Sequence, residues 1–399
     1  MKTKALLLFA VLLVCSGGAA RAVDFGLVLD QSAGYGGVAG NEDWDYTGVL
    51  LPRVSSLLDD FGSLYISAGG IAGYSGGEWA FMPELLRTEL CLFDIAELKL
   101  GRLYYSDPLG LVADGLFDGI HFTFGTQAGS FSAGAWYTGF LYKKRARITM
   151  TGEERLSYYA DVDYGDFMGT YFAPRHVVSA LDWEHPGLGR LLRTKLSVVA
   201  QFSLEETGFH SQYLVGKMSL PLGAFLLDLG GSFEVKETSG DISMAFLAEA
   251  GASWVLPTAF GSRFSLLGRY TSGEMGGMGA FSPLTWKSQS SILQAKVPGT
   301  SMLYVDYVAR LHRAFSLSLS SSYFVRNDLA TYTGYPAGGG QGQGGYFLGN
   351  EFFGRLYWSS FSDVQLTLGG GIFMPSLGDV APKLDNIWRV EAGLVISVY

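Results

Sequence analysis

Covalent catalysis and metal binding need histidine, cysteine, serine or acidic side chains at defined spacings, and this chain lacks those spacings. The five histidines are scattered over separate segments with no HExxH or similar pattern: His121, His176, His185, His210 and His312. The glycine-rich run 338–345 has no Lys-Ser or Lys-Thr pair after it, so it is not a phosphate-binding loop. The sequence therefore predicts no catalytic residue, no metal site and no cofactor, and only a triad built from distant residues is left open.

Charged side chains at alternate positions are the pattern that can act on a solute. Side chains on an extended strand point to opposite faces with period two, so Asp306 and Arg310 share one face and Leu303 lies on the other. By the same parity, charges of both signs lie on the polar face of their strands: Arg53, Arg87, Lys217, Arg269, Asp306, Arg310, Glu351, Arg355, Arg389 and Glu391. In a water-filled pore a solute would move past these charges by exchanging one weak contact for the next. As ion pairs they would only stiffen a wall, and both interpretations stay open.

Eighteen strand-like segments must position these charges. The 55 glycines, 14% aromatic residues and only 16% charged residues favour many strands joined by turns. No apolar run after Val23 is long enough for a membrane-spanning helix. The predicted fold class is all-β: a transmembrane, antiparallel, up-and-down β-barrel of about eighteen strands, with sixteen as the alternative count.

The connections between these segments alternate in length. Every second connection is a short or medium turn, whereas the long ones follow strands one, five, seven, thirteen, fifteen and seventeen. Long loops on one side only are typical of outer-membrane barrels, and an even strand count places both termini on the short-turn side. We expect the first strand, Val23 to Ser32, to pair with the last, Asn386 to Tyr399, and a long polar connection to follow the first strand.

The two faces of each strand are predicted from the width of such a barrel. In strand fifteen, Phe315, Leu317 and Leu319 alternate with serines. Eighteen strands enclose a lumen too wide for side chains to fill. The polar face must therefore line the lumen, and the apolar face must contact lipid.

The N-terminus has the pattern of a secretory signal peptide. Lys2 and Lys4 precede an apolar run, and Ala20-Arg21-Ala22 is an A-x-A cleavage site. Cleavage would remove residues 1–22 and leave one barrel domain, 23–399. The loss of Lys2, Lys4 and Arg21 moves the formal net charge from −9 to −12, which argues against nucleic acid as a partner. Cys91 is then the only cysteine, so no internal disulfide can form.

The final strand predicts how the chain reaches its membrane. The segment Glu391 to Val398 resembles the C-terminal signal by which outer-membrane barrels are recognised for assembly. The predicted partners are outer-membrane lipid, the barrel-assembly machinery and a small polar solute. The predicted location is the bacterial outer membrane.

One stretch carries a family resemblance. Gly101-Arg102 within the segment Leu98 to Asp107, followed by Phe117-Asp118-Gly119, resembles the Gly-Arg strand and Phe-Asp-Gly segment of alginate-export-type, eighteen-stranded porins. The resemblance implies an anionic solute and a lumen lined with arginines, among them Arg102. Lys99 and Arg102 cannot both face inward on a regular strand, so a bulge at Gly101 or a rim position for one of them is expected.

These observations predict a porin-like channel for the passive passage of small polar solutes, anionic by the resemblance. The chain is not predicted to be an enzyme. The alternative is a structural or adhesive surface barrel with a plugged lumen. Its long loops, especially Lys143 to Ala173 and Ser272 to Pro298, would bind external ligands.

Overall fold

The computed structural model describes residues 20–58, 62–92, 96–189, 191–205, 208–238, 240–258, 260–274, 278–332, 334–337 and 344–398. Eighteen strands form one antiparallel sheet: Ala20–Val38 (β1), Asn41–Leu58 (β2), Gly62–Ser75 (β3), Glu78–Leu92 (β4), Ala96–Ser106 (β5), Asp114–Thr126 (β6), Gly129–Tyr137 (β7), His176–Leu188 (β8), Leu192–Ser203 (β9), His210–Leu222 (β10), Phe225–Thr238 (β11), Asp241–Val255 (β12), Arg263–Thr271 (β13), Thr300–Ala309 (β14), Phe315–Arg326 (β15), Phe347–Phe361 (β16), Val364–Met374 (β17) and Ile387–Val398 (β18). Short helices lie between β7 and β8, namely Lys143–Ala146 (α1), Gly152–Tyr159 (α2) and Phe167–Tyr171 (α3), and a 3₁₀ turn, Pro375–Leu377, follows β17. None of the helices in these ranges is long and apolar enough to cross a membrane.

The sheet closes on itself. Each strand pairs with its neighbours along the chain, and β1 pairs with β18 from Leu27 and Val398 to Val38 and Ile387. The predicted barrel of eighteen strands, closed by its first and last strands, is confirmed. Of the predicted signal peptide, residues 1–19 lie outside the described residues, and Ala20–Ala22 begin β1.

The connections divide between the two ends of the barrel as predicted, with one exception. The described parts of the loops 138–175, 272–299, 327–346 and 375–386 all lie at one end, opposite the short turns. The predicted long connection after the first strand is wrong, because β1 and β2 pair as far as Val38 and Asn41 around a tight turn at Gly40. Beyond the lipid both faces of a strand meet water, so Glu42 and Asp43 interrupt the alternation without ending the strand.

The outer surface of the barrel is apolar. Leu181, Leu214 and Leu229 are 55–63% exposed, whereas Ala180 and Val215 on the inner face are at most 2% exposed. Water-soluble proteins rarely expose apolar surface on this scale. The predicted orientation, with the apolar face outward, is confirmed.

The wall is interrupted between β4 and β5 at the long-loop end. Within the described ranges, the ladder joining these strands runs only from Glu89 and Gly101 to Leu92 and Leu98. Beyond it β4 still pairs with β3, and β5 still pairs with β6 as far as Ser106. We call the gap between residues 78–88 and 102–106 the slit.

Gly101 lies where the two strands separate. Its φ is 117°, and a Cβ there would lie 1.8 Å from the carbonyl oxygen of Thr88. A positive φ alone costs other residues about 1–2 kcal/mol, and the clash with backbone adds to it. We expect Gly101→Ala to lower the midpoint of urea unfolding in detergent micelles, measured by tryptophan fluorescence. Gly268→Ala, which would meet no atom within 4 Å, is the control and should leave the midpoint unchanged.

Candidate functional site: the narrowed lumen

Three connections at the long-loop end fold into the barrel instead of projecting from it. They are residues 107–113, 138–175 and 272–299. Leu111, Ile148 and Leu284, one from each, are almost completely buried in one cluster with inner-face residues of the wall. On this side the lumen is filled by loops, and the passage is narrowed.

Asp107 determines the shape of the shortest of these loops. Its Oδ1 accepts hydrogen bonds from the backbone N–H groups of Leu109 and Gly110, at 2.8 and 3.1 Å. Its Oδ2 accepts three more, from residues 111, 112 and 113 at 2.8–3.0 Å. One buried carboxylate therefore accepts five backbone N–H groups, of which only that of Gly110 has a second acceptor among the described residues, the Asp107 carbonyl at 2.9 Å.

Residues 282–293, which we call the strap, cross the lumen from wall to wall. At one end the Ser282 N–H donates to Glu234 of β11 at 2.7 Å, and the Tyr213 hydroxyl of β10 donates to the Ser282 carbonyl at 2.6 Å. In the middle, Lys287 Nζ lies 3.0 Å from Asp114 Oδ2 and donates to the Gly110 carbonyl at 2.9 Å. The strap is thus tied to the loop that Asp107 orders.

The far end of the strap is held by two charged residues of the opposite wall. Arg269 Nη1 donates to Gln289 Oε1 at 3.1 Å. The carboxylate of Glu351, on β16, accepts the backbone N–H groups of Ser291, Ile292 and Leu293 at 2.8, 3.1 and 2.9 Å. Glu351 is only 3% exposed, so its carboxylate binds the strap and has little contact with water in the lumen.

A cavity of about 470 Å³ lies between the strap and the inner faces of β13 to β16. Its lining combines three cations, Arg269, Lys287 and Arg355, with serine hydroxyl groups of β15 and one carboxylate, that of Glu351, which is only 3% exposed. The serines are Ser318, Ser320 and Ser322. The carboxylates paired with these cations do not line it. Lys287 is 41% exposed against 10% for Asp114, and Arg355 is 35% exposed against 23% for Glu391. The surface that a solute meets is therefore cationic, although the charges are paired.

A chain of ion pairs continues along the inner wall from this cavity. Arg355 Nε lies 2.8 Å from Glu391 Oε1, and Glu391 Oε2 lies 3.8 Å from Arg389 Nε. Arg389 in turn contacts Asp45 of β2 at 2.8 Å. Charges of both signs therefore alternate along this part of the inner wall.

A second cavity, of about 600 Å³, lies at the outer side of the strap between the loops 138–175, 272–299 and 327–346. Three cations, Arg155, Lys287 and Lys296, and one carboxylate, that of Glu274, line it, and Lys287 is shared with the inner cavity. Burial lowers the pKa of the Lys296 ammonium, and the neighbouring positive charge of Arg155 lowers it further. The cationic lining thus begins at the outer mouth, ahead of the narrow part.

Most of the predicted lumen residues lie on the inner face of their strands: Arg53, Arg87, Lys217, Arg269, Asp306, Glu351, Arg355, Arg389 and Glu391. The structure gathers Arg269, Glu351 and Arg355 around the strap, and Arg389 and Glu391 beside it. Arg53, Arg87, Lys217 and Asp306 lie apart from it. The role of any of them in selecting solutes stays a prediction.

Two predicted lumen residues lie elsewhere. Arg102 shares its face with Tyr104, which is 62% exposed, and not with the buried Leu103. It forms a bidentate pair with Asp118, both contacts at 2.8 Å, and donates to the Phe140 carbonyl. The lumen position implied by the resemblance is therefore wrong: alternation is regular, so Arg102 faces outward. Arg310 lies in the short turn after β14, is exposed, and donates to the carbonyl of Arg313.

The sequence interpretation missed Asp107 and Lys287. An aspartate followed by proline, leucine and glycine is a turn signal, because its side chain accepts nearby backbone N–H groups. That signal was present at Asp107. Lys287 lies on an irregular loop. The period-two alternation of strands does not apply there, so the sequence does not show whether a side chain faces the lumen.

A closed eighteen-stranded barrel with a charged lumen and inward-folded loops is the fold of outer-membrane porins. No known protein family matches the sequence, and no curated protein matches it. Solved structures do match. The porin OccK2 (OpdF) of Pseudomonas aeruginosa gives a TM-score of 0.63 at 13% identity over 96% of this chain and 99% of that chain. A BenF-like porin from Pseudomonas fluorescens Pf-5 gives 0.63 at 12% identity over 96% and 100%. OccK2 in complex with glucuronate gives 0.62 at 12% identity over 96% and 97%.

Proposed function

We propose that this protein is a channel of the bacterial outer membrane through which small organic anions pass passively. The observation that carries the proposal is the inner cavity, which presents Lys287 and Arg355 while their carboxylate partners lie behind them. It also supports an open passage over the alternative of a plugged adhesive barrel.

The lining supports a solute with a carboxylate and several hydroxyl groups. Guanidinium groups bind carboxylates with directed N–H donors, and the serine hydroxyls of β15 can donate to or accept from a polyol. One matching structure, OccK2, has been solved in complex with glucuronate, which has this chemistry. The anionic solute implied by the alginate-export resemblance agrees with it.

The route to the membrane completes the proposal. Residues 1–22 act as a signal peptide, the barrel-assembly machinery inserts residues 23–399, and the apolar outer face contacts lipid. The exposed leucines of the outer surface support the last step.

Ion selectivity tests the channel. In planar bilayers under a KCl gradient, we expect a reversal potential on the anion-selective side. Lys287→Gln should lower the anion preference about fivefold, since one charge at 4 Å contributes about 1 kcal/mol in water.

The matched control for this test is Lys144→Gln. Lys144 lies in an outer loop, is 39% exposed and also pairs with an aspartate, Asp161, but does not line the inner cavity. Its substitution should leave selectivity unchanged. Cation selectivity of the wild-type protein would refute the proposal that the solutes are anions. The absence of any conductance would refute the proposal that the protein is a channel.

A further inference from the structure

The slit between β4 and β5 is closed by the long loop between β7 and β8. We call residues 162–172 of this loop the plug. Val162 and Tyr171 pack with Met82 of β4 in a buried apolar cluster. The Tyr164 hydroxyl contacts the backbone N and O of Phe81 at 3.1 and 3.0 Å, and the Tyr171 hydroxyl donates to the Pro83 carbonyl at 2.6 Å. Side chains thus replace the missing strand ladder.

Each lip of the slit is paired with its other neighbour, β4 with β3 and β5 with β6. Pro83 lies within β4, and proline is confined to strand edges because it has no N–H to donate. On the other lip, Arg102 is fixed by Asp118 and by the Phe140 carbonyl. Displacing the plug would therefore break packing, hydroxyl contacts and the isolated bridge between Tyr142 and Phe172, but no ladder between the strands of the barrel.

An apolar groove begins at the slit and crosses the outer face of β1 to β4. It is a cavity of about 470 Å³ whose floor consists of small residues, Gly48, Gly70 and Ala72. Leu50, Phe81 and Met82 also line it, and Met82 packs with Val162 and Tyr171 of the plug. A groove of this shape fits a single alkyl chain.

A cation lies on the lumen side of the same opening. Arg87, on the inner face of β4 at the lower end of the slit, pairs with Glu89 at 3.1 Å. Its buried Nε has no hydrogen-bond partner among the described residues. A donor without an acceptor at this position suits a carboxylate head group.

We propose that the slit is a lateral port, through which a single-chain carboxylate amphiphile of the fatty-acid class extends its alkyl chain from the lumen into the outer groove. The plug closes the port when no amphiphile is bound. The entry of the head group rests on the proposed channel function, whereas occupation of the groove does not.

Photolabelling tests the groove. The probe is a palmitic acid carrying a diazirine on its chain, added to the protein in lipid nanodiscs, with the labelled residues located by mass spectrometry. We expect labels concentrated at Leu50 and Phe81. Gly70→Leu adds a side chain to the lining of the groove, where a Cβ would have its nearest neighbour at 3.8 Å. It should abolish the excess of labels at Leu50 and Phe81 over the rest of the apolar belt, because the leucine side chain occupies the space of the alkyl chain.

Gly268→Leu is the matched control, an outward-facing glycine of β13 with no atom near its Cβ position. It should leave the labelling of the groove unchanged. Labels spread evenly around the apolar belt would mean ordinary lipid contact and would overturn the groove.

The port itself is tested by loosening the plug. The double variant Tyr164→Phe and Tyr171→Phe removes the hydroxyl contacts but keeps the rings, and we expect new labels at Tyr142 and Val162 behind the slit. Tyr159→Phe, an exposed tyrosine of α2, is the control. If the double variant is labelled in the groove but not at Tyr142 or Val162, the proposed port is wrong. Gly70→Leu should keep the wild-type reversal potential, so failure of the port is distinguishable from failure of the channel.

Discussion

Replacing Glu351 by glutamine should release the far end of the strap and raise the single-channel conductance. The carboxylate accepts three backbone N–H groups, and the single carbonyl oxygen of glutamine has lone pairs for only two. The NH₂ group of the glutamine would also face a backbone N–H group of the strap, and two donors cannot form a hydrogen bond with each other. Each N–H buried without an acceptor costs about 1–3 kcal/mol, so residues 291–293 should leave the wall and open the passage beside β16.

The control for this variant is Glu89→Gln. Glu89 is also an inner-face glutamate, but its ion-pair partner is Arg87 of its own strand, at 3.1 Å, and it does not line the inner cavity. Both variants should fold, as judged by the heat-dependent shift of barrels on gels. Equal conductance in wild type and Glu351→Gln would show that the strap is held by its other anchors and that Glu351 is not its clamp.

The sequence was sufficient for the barrel because one physical rule acts on every strand. Lipid outside and water inside impose a period of two, so the faces of Leu229 and Arg269 could be assigned without a structure. The period of two is not imposed on strand residues that extend beyond the lipid. The hairpin of β1 and β2 extends into water, and Glu42 and Asp43 were mistaken for a loop for that reason.

The narrowed lumen could be predicted only in part. The parity of Arg355 placed it on the lumen side, but its contact with the strap depends on an irregular loop with no period. Glu351 was predicted as a lumen charge, yet its partners are backbone N–H groups, which no side-chain pattern reveals. The segment with the family resemblance contains the cross-strand pair of Arg102 and Asp118, so its residues stabilise the outer wall instead of lining the pore.

The slit had signals in the sequence that were not used. Pro83 in the middle of an apolar strand indicates an edge. Gly101 before Arg102 was considered as a bulge, and its positive φ lies at the point where the strands part. Together the two residues place an edge on each side of the same gap. An edge in a barrel must be covered, because unpaired N–H and C=O groups are costly in lipid.

Replacing Asp107 by asparagine should unfold the loop 107–113 while the barrel stays intact. The aspartate satisfies N–H groups with both oxygens, and asparagine keeps one oxygen and turns N–H donors toward the remaining N–H groups. Each N–H that loses its acceptor costs about 1–3 kcal/mol, which corresponds to roughly 5- to 150-fold faster hydrogen exchange. Exchange at residues 109–113, followed by mass spectrometry in micelles, measures it.

Asp328→Asn is the control for Asp107→Asn. It also removes a carboxylate that accepts backbone N–H groups, but in a different loop. Asp328 accepts the N–H groups of Ala330 and Thr331 in the loop 327–346, but it does not contact the inner cavity. Its variant should speed exchange locally and leave selectivity as in wild type. Asp107→Asn should also lower anion selectivity, because Gly110 supplies the carbonyl that holds Lys287. Faster exchange at 109–113 with unchanged selectivity would mean that Asp114 alone positions Lys287.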